Sequence, residues 1–184
     1  QLIDRAHAEL LDEGVVVEMP PVGAMIEVPA AVHIAQQIAE VVDFISVGSN
    51  DLTQYLLAVD RNNPNVAEIY NSYHPAVLRA LQEISRATRR AGKPLSICGE
   101  MAGDPGAAIL LLAMGYDSFS MNVTNLAKVK SIIRSITSAD AQALLDTVIQ
   151  MNKAQEVRET VYNVLEEKGV TRVYRDPIKS WRRK

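Results

Sequence analysis

The chain has 184 residues, of which 48% are hydrophobic and 22% are charged, a composition typical of a globular protein with a packed core. A formal net charge of -3 excludes a general basic surface for nucleic acid, and no apolar run approaches the roughly 20 residues that a membrane span needs. The single cysteine, Cys98, excludes an internal disulfide framework and fits a reducing cytoplasm, where we expect the protein to be found.

Hydrophobic periodicity predicts strands that alternate with helices along most of the chain. Proline and glycine mark several boundaries, since proline is tolerated in the first helical turn and glycine often follows the last. The predicted elements are a helix over 1–13, a strand over 22–28, a helix over 29–42, a strand over 44–48, a helix over 51–59, an Asn-rich connection over 62–71, a helix over 74–91, a strand over 93–98, a helix over 105–114 capped by Asp104, a strand over 118–121, and two or three helices over 125–169.

This alternation predicts an α/β fold with a parallel sheet, because a parallel neighbour is reached only through a crossover. The strands read as apolar throughout, which is typical of strands covered on both faces. Doubly wound sheets and barrels both show this pattern of alternating strands and helices. Polar residues at the carboxyl ends of successive strands favour a barrel, whose sites lie on that face: Glu27, then Asn50 and Asp51, then Cys98. Because a usual barrel has eight strands and about 250 residues, we expect the C-terminal half of a (β/α)8 TIM barrel, with about four strands.

We expect one domain over residues 1–184, with barrel units over 1–135, C-terminal helices over 136–170 and a basic tail over 171–184. The local positive charge of the tail is typical of a solvated chain end. The chain opens on Gln1 inside an amphipathic pattern, with neither an initiator Met nor a leader, so we expect it to be part of a longer chain.

Two carboxylates lie at equivalent positions where neighbouring strands end. Glu27 lies next to the end of an apolar strand, where its charge needs a cation, a donor or water; an arginine partner or simple exposure to solvent are the alternatives. Asp51 with Gln54 fits a helix capping box, so a purely structural role is open there too. Carboxylates on neighbouring strand ends can also hold one Mg²⁺ that keeps its other positions for water and phosphate oxygens.

Two further residues have side chains suited to chemistry. Cys98 is either a buried core thiol or a reactive group, and in the second case both a general acid and a nucleophile are open. Arg61 can bind phosphate or carboxylate with its forked guanidinium, or lie solvated at the surface. The three histidines show no spacing typical of metal ligands.

Five segments then occur in a fixed order: GAMIEVPAA (23–31), DFISVGSNDLTQYLLAVDRNNP (43–64), HPAVLRAL (74–81), CGEMAGDP (98–105) and FSMN (119–122). Together they resemble enzyme I of the bacterial phosphotransferase system, over about residues 15 to 135. The resemblance implies the C-terminal part of a phosphoenolpyruvate (PEP)-binding barrel that forms a homodimer. In this family the barrel supplies phosphate to a histidine on an upstream domain, which passes it to an HPr-like phosphocarrier protein.

The resemblance also implies residue roles. Glu27 and Asp51 match the Mg²⁺ ligands, and Asn50, Asp51 and Arg61 match residues that bind PEP. Cys98 matches the acid that protonates C3 of the enolpyruvate to give pyruvate. Position 49 is Ser where the family more often has Thr. The phospho-accepting histidine has no counterpart in the sequence, so we expect these residues alone not to complete phosphotransfer.

Three alternatives remain within and beyond this resemblance. A pyruvate phosphate dikinase or PEP synthase fragment is one alternative, but the dikinases typically read CGEHGGDP and have a different arginine motif, so CGEMAGDP with AVDRNN favours enzyme I. Within enzyme I, VDFISVGSNDLTQYLLAVDRNN resembles the nitrogen-related paralogue more than the sugar-transport form. The third alternative is not an enzyme: it is a module that dimerises or regulates without catalysing a reaction.

Overall fold

Four parallel strands form the centre of the fold. The computed structural model describes residues 2–169, in which β1 (Gly23–Ile26), β2 (Phe44–Gly48), β3 (Leu95–Cys98) and β4 (Ser118–Ser120) form one sheet in the order β1-β2-β3-β4. Each neighbouring pair is parallel. The sheet therefore advances in one direction, as in a barrel, without the reversal of strand order found in doubly wound sheets. This confirms the predicted α/β fold with part of a TIM-type barrel.

Helices connect the strands and follow the last of them. None of the helices described is long and apolar enough to cross a membrane. A short 3-10 turn lies in the Asn-rich connection. In chain order the elements are α1 (Leu2–Asp12), α2 (Pro29–His33), α3 (Ala35–Val41), α4 (Ser49–Leu57), the 3-10 turn (Ala67–Ile69), α5 (Pro75–Arg90), α6 (Glu100–Gly103), α7 (Pro105–Met114), α8 (Val123–Ile133), α9 (Ser138–Val148) and α10 (Ala154–Glu167).

Local caps explain several boundaries. The Asp104 side chain accepts a hydrogen bond of 2.9 Å from the backbone N–H of Ala107, so α7 has the predicted N-cap. His74 caps α5 in the same way, through a ring nitrogen that accepts from Ala76 N at 3.2 Å. The helix predicted over 29–42 is instead two helices, because the backbone of Ile34 (φ -117°, ψ 20°) leaves the helical region between them.

The core lies between one face of the sheet and the helices that cover it. Most side chains of this face are fully buried, and they contact apolar residues of α5 and α7 in one continuous cluster. Removing each such side chain from water contributes about 1.5–3 kcal/mol. The strand residues of this layer are Ile26, Ile45, Val47, Leu95 and Ile97.

The opposite face of the sheet carries several small polar side chains next to the apolar Met25. Met25, Ser46, Ser96 and Ser118 form one row across the four strands, and Met25 is 52% exposed. The prediction that the strands are apolar throughout is therefore wrong for this face. Within such a row a serine hydroxyl can hydrogen-bond a neighbouring strand, as Ser96 Oγ does by donating to Ile45 O at 3.4 Å.

The last helices pack on the outside of α7. Helix α9 contacts α7 directly and α10 contacts both, so α7 is buried nearly all round. Val148, Val161 and Leu165 supply buried side chains to this layer. The basic tail predicted over 171–184 lies outside the described residues, and the division of the domain stays a prediction.

Candidate functional site

The carboxyl ends of β1, β2 and β3 bring predicted site residues into one row. Ile26 pairs with Val47, and Gly48 pairs with Cys98, so Glu27, Gly48 and Cys98 follow one another across the sheet. Side chains alternate between the faces of a strand, and Ile26 and Val47 are buried against the helices. The next residues therefore point to the opposite face.

Gly48 provides the space into which the Glu27 carboxylate extends. A Cβ added at Gly48 would lie 2.8 Å from Glu27 Oε2, closer than side-chain atoms tolerate. Within residues 2–169, Glu27 is half-buried and has no ion-pair partner, so the arginine partner considered from the sequence is not found there. The carboxylate lies beside the turn from β2 into α4.

That turn places Asp51 in the first turn of α4 without using it as a cap. The helix begins at Ser49, its N-cap position is Gly48, and no side chain caps it. Asp51 is thus the third helical residue, and the capping-box interpretation of Asp51 with Gln54 is wrong. The Gln54 side chain instead accepts a 3.3 Å hydrogen bond from the backbone N–H of Arg61. The free amides of this helix start favour an anion nearby.

The turns after β2 and β3 interlock. The buried Ser49 hydroxyl donates to the carbonyl oxygen of Cys98 at 2.7 Å, and Thr53 Oγ1 donates to Ser49 O at 2.7 Å. Gly99 has φ +109°, and a Cβ there would collide with Ser49 Oγ and lie 2.9 Å from Asn50 Oδ1. Only glycine suits both the backbone conformation and the close approach.

Two donors fix the Asn50 side chain. Its Oδ1 atom accepts from the backbone N–H of Glu100 at 3.1 Å and from the Tyr70 hydroxyl at 3.5 Å. An amide oxygen has two lone pairs, so these contacts use its acceptor capacity and leave the NH₂ group as the donor for a ligand. Asn50 therefore has the chemistry that an anion needs.

The Cys98 thiol is half-buried and lies against a backbone carbonyl of the neighbouring strand. Sγ donates to the carbonyl oxygen of Val47 at 3.5 Å, across the β2–β3 pair. A thiol can donate only while protonated, so the contact suits a proton donor better than a nucleophilic thiolate. Cys98 is partly exposed and so is not a fully buried core residue, and its reactivity stays a prediction.

Arg61 reaches the same region through Tyr70. Burial raises the pKa of the Tyr70 hydroxyl above its usual range, and the negative charge of Glu100 adds to the rise. The nearby Thr53 side chain and the Arg61 guanidinium beside the phenol lower the pKa. The half-buried Tyr70 hydroxyl contacts Asn50 on its other side. Arg61 and Asn50 thus both lie next to the Tyr70 hydroxyl.

The available ligands fit a hard cation that binds few protein groups. In the part of the chain that the structure describes, no cluster of three or more His, Cys, Asp or Glu side chains can hold a metal ion. Glu27 and Asp51 are the two carboxylates that the sequence predicts as ligands, and they lie at the ends of neighbouring strands. Mg²⁺ is commonly held by one or two carboxylates while water and substrate phosphate complete its octahedron, so this donor set fits Mg²⁺ and does not fit a structural Zn²⁺ site.

Comparison with known proteins agrees with this chemistry. The family described as PEP-utilising enzyme, PEP-binding domain, matches residues 1–138. The chain belongs to this family. As a PEP-binding domain it is 46% identical over 171 residues to a Salmonella typhimurium protein named for the phosphoenolpyruvate-dependent phosphotransferase system, covering 92% of this chain and 23% of the relative. It is 41% identical over 170 residues to the phosphoenolpyruvate-protein phosphotransferase of Haemophilus influenzae, covering 92% of this chain and 30% of that protein.

The PEP-binding domain thus spans under a third of the length of these relatives. Among solved structures, it resembles a citrate lyase from Burkholderia xenovorans with a TM-score of 0.51 and 18% identity, covering 91% of this chain and 59% of that one. At this identity the likeness supports the fold alone.

The structure places Glu27, Asn50, Asp51 and Cys98 at adjacent strand ends of the PEP-binding domain, and Arg61 joins them through Tyr70. Their roles toward a substrate stay predictions. Tyr70, Gly48 and Gly99 were not predicted as site residues. The positions of the two glycines at strand ends were a usable signal, whereas nothing in the spacing of the Asn-rich connection distinguishes the tyrosine.

Proposed function

We propose that the chain is the PEP-binding part of a phosphoenolpyruvate-protein phosphotransferase, an enzyme I. The observation that carries the proposal is the row formed by Glu27, Gly48 and Cys98, with Asp51 at the adjoining helix start. It combines carboxylates for a cation, helix amides for phosphate and a thiol that can donate a proton at one edge of the sheet. The family to which the chain belongs binds PEP, and relatives at 41–46% identity carry the phosphotransferase name.

In the proposed reaction, Glu27 and Asp51 hold Mg²⁺, which when bound neutralises charge on the phosphoryl oxygens. The Asn50 NH₂ group and the Arg61 guanidinium donate hydrogen bonds to the phosphate and carboxylate of PEP. The bond between phosphorus and the enol oxygen breaks as a histidine nitrogen attacks phosphorus. The electron pair of that bond forms the carbonyl of pyruvate, and C3 takes the proton from Cys98 Sγ.

The same proposal includes partners that follow from the resemblance to enzyme I. The accepting histidine lies on an upstream domain, the phosphoryl group passes to an HPr-like phosphocarrier protein, and the enzyme is a cytoplasmic homodimer. The nitrogen-related paralogue, with its role in nitrogen regulation, is the form we propose, on the similarity of residues 42–63 and 74–81.

The role of Cys98 is tested by Cys98→Ala in the full-length enzyme. We expect phosphotransfer from PEP to fall by about 10²- to 10⁴-fold, since a general acid contributes that much, with PEP affinity nearly unchanged. Ser96→Ala, two residues earlier on the same face of β3, is the matched control. Unchanged turnover in Cys98→Ala would favour the alternative in which this part of the enzyme dimerises or regulates without taking part in the chemistry.

The metal assignment is tested by titrating PEP with and without Mg²⁺ against Glu27→Ala and Asp51→Ala. We expect Mg²⁺ to tighten PEP binding to the wild-type enzyme and to have little effect in either variant, because each variant removes one of two carboxylate ligands. Glu40→Ala, on the outward helix α3, should respond like the wild type. Equal Mg²⁺ dependence in all four proteins contradicts the assignment.

A further inference from the structure

Tyr70 lies where the elements that carry two candidate substrate-binding side chains meet. It directly follows the 3-10 turn and is half-buried. Its hydroxyl lies 3.5 Å from Asn50 Oδ1, in the first turn of α4, and beside the guanidinium of Arg61, in the connection that follows α4. Neither the family motifs in the sequence nor the proposed reaction uses this side chain.

The hydroxyl can serve both neighbours at once. A phenol donates one hydrogen bond and accepts others, so it can donate to Asn50 Oδ1 while it accepts from an Arg61 N–H. The opposing effect of Arg61 on the Tyr70 pKa has the sign expected for a guanidinium that donates to the phenol oxygen.

The orientation of the Asn50 amide depends on these donors. Oxygen and nitrogen of an amide have nearly the same shape, so only hydrogen-bond partners decide which of the two faces a ligand. The Glu100 N–H holds Oδ1 from one side at 3.1 Å, and the Tyr70 hydroxyl approaches it from another at 3.5 Å.

We propose that Tyr70 is a positioning residue for PEP: its hydroxyl holds Asn50 Oδ1 away from the substrate and aligns Arg61, so that both side chains present N–H groups to the anion. Without that hydroxyl, only the Glu100 N–H holds Asn50 Oδ1, so the amide rotates more readily and presents its oxygen to a negatively charged oxygen more often, which is repulsive. Tyr70 itself transfers no proton and touches no reacting atom. This inference rests on the proposed function, because it assigns a role in PEP binding.

The test is a double-mutant cycle of Tyr70→Phe and Asn50→Ala in the full-length enzyme, read as KM for PEP and kcat. Tyr70→Phe keeps the ring and removes only the hydroxyl, so we expect KM to rise about three- to tenfold with kcat changed less than about twofold. In the Asn50→Ala background the same substitution should raise KM less than in the wild type, because one of the side chains that it positions is gone. Tyr55→Phe, an exposed tyrosine of α4, is the matched control and should change neither value.

Two results overturn the inference while leaving the proposed function intact: an unchanged KM in Tyr70→Phe, or the same fold-change in both backgrounds. A general loss of stability would lower Tm and kcat together and would persist in the Asn50→Ala background, so it is distinguished from positioning. Absence of PEP-dependent phosphotransfer in the wild-type enzyme would instead overturn the proposed function, and this inference with it.

Discussion

Single residues at the strand ends decide how closely the turns approach one another. Gly99 holds a positive φ and lies against Ser49 Oγ and Asn50 Oδ1, and Gly48 leaves space for the Glu27 carboxylate. Glycine has no Cβ, so both close contacts depend on the absence of a side chain at these two positions. The site is therefore built as much by two missing side chains as by the polar ones.

Replacement of Gly99 by alanine tests this at residue scale. We expect Gly99→Ala to lower the free energy of unfolding by about 2–4 kcal/mol, because the strained backbone adds to a collision with Ser49 and Asn50. Gly92→Ala is a matched control, since Gly92 also has a positive φ (+67°) but a Cβ there meets nothing within 4 Å. Urea denaturation of both variants measures the difference. Equal losses contradict the role assigned to close packing.

Elements depend on caps that connect to the core. Asp104 caps α7 through Ala107 N, and the same Oδ1 atom accepts a 2.5 Å hydrogen bond from the fully buried Tyr73 hydroxyl. The N-cap of α9, Thr137, forms a capping box with Asp140 at an exposed position. The two helix starts use the same chemistry in different surroundings.

The difference in surroundings predicts different costs at element scale. Asp104→Ala removes the cap and leaves the buried Tyr73 hydroxyl without its partner, so we expect a loss of about 2–4 kcal/mol. Thr137→Ala removes only an exposed cap, and about 1 kcal/mol is expected. Thermal or urea unfolding measures both. A loss in Asp104→Ala no larger than that in Thr137→Ala would show that the buried hydrogen bond adds nothing.

The core of the molecule contains tyrosines whose hydroxyls cannot ionise easily. Burial raises the pKa of Tyr73 and Tyr116 well above the ordinary value of about 10, and nearby Asp104 adds to the effect at Tyr73. The Tyr116 hydroxyl donates to Leu81 O at 3.1 Å. In the unfolded chain both groups release their protons near pH 10.

At the scale of the whole molecule, stability is expected to be lost at alkaline pH. Above pH 10 the unfolded chain binds fewer protons than the folded protein, so the stabilisation present below pH 10 decreases as the pH rises towards the folded pKa. The loss is about 1.4 kcal/mol per pH unit for each buried tyrosine. Tyr116→Phe should reduce this slope measured by urea unfolding between pH 9 and about 11, and exposed Tyr55→Phe should not. The same slope in Tyr116→Phe would contradict the prediction.

The alternating pattern of the sequence was sufficient for the parallel α/β architecture, since hydrophobic periodicity and crossover geometry are local properties. The β2 limits of 44–48 and the Asp104 cap were predicted for the same reason. Strand-end position also indicated Glu27, Asp51 and Cys98 as neighbours, because parallel strands present their carboxyl ends at one edge.

Only the tertiary structure decided which polar groups form hydrogen bonds with one another. Asp51 and Gln54 fit a capping box by spacing, yet α4 starts at Ser49 and Gln54 binds the backbone of Arg61 instead. Tyr70 reaches Asn50 from 20 residues away along an irregular connection that has no period to read. The positions of helices and strands depend on residues that are close in sequence. The contacts of the connections and of the turns at the strand ends depend on residues that are close only in space.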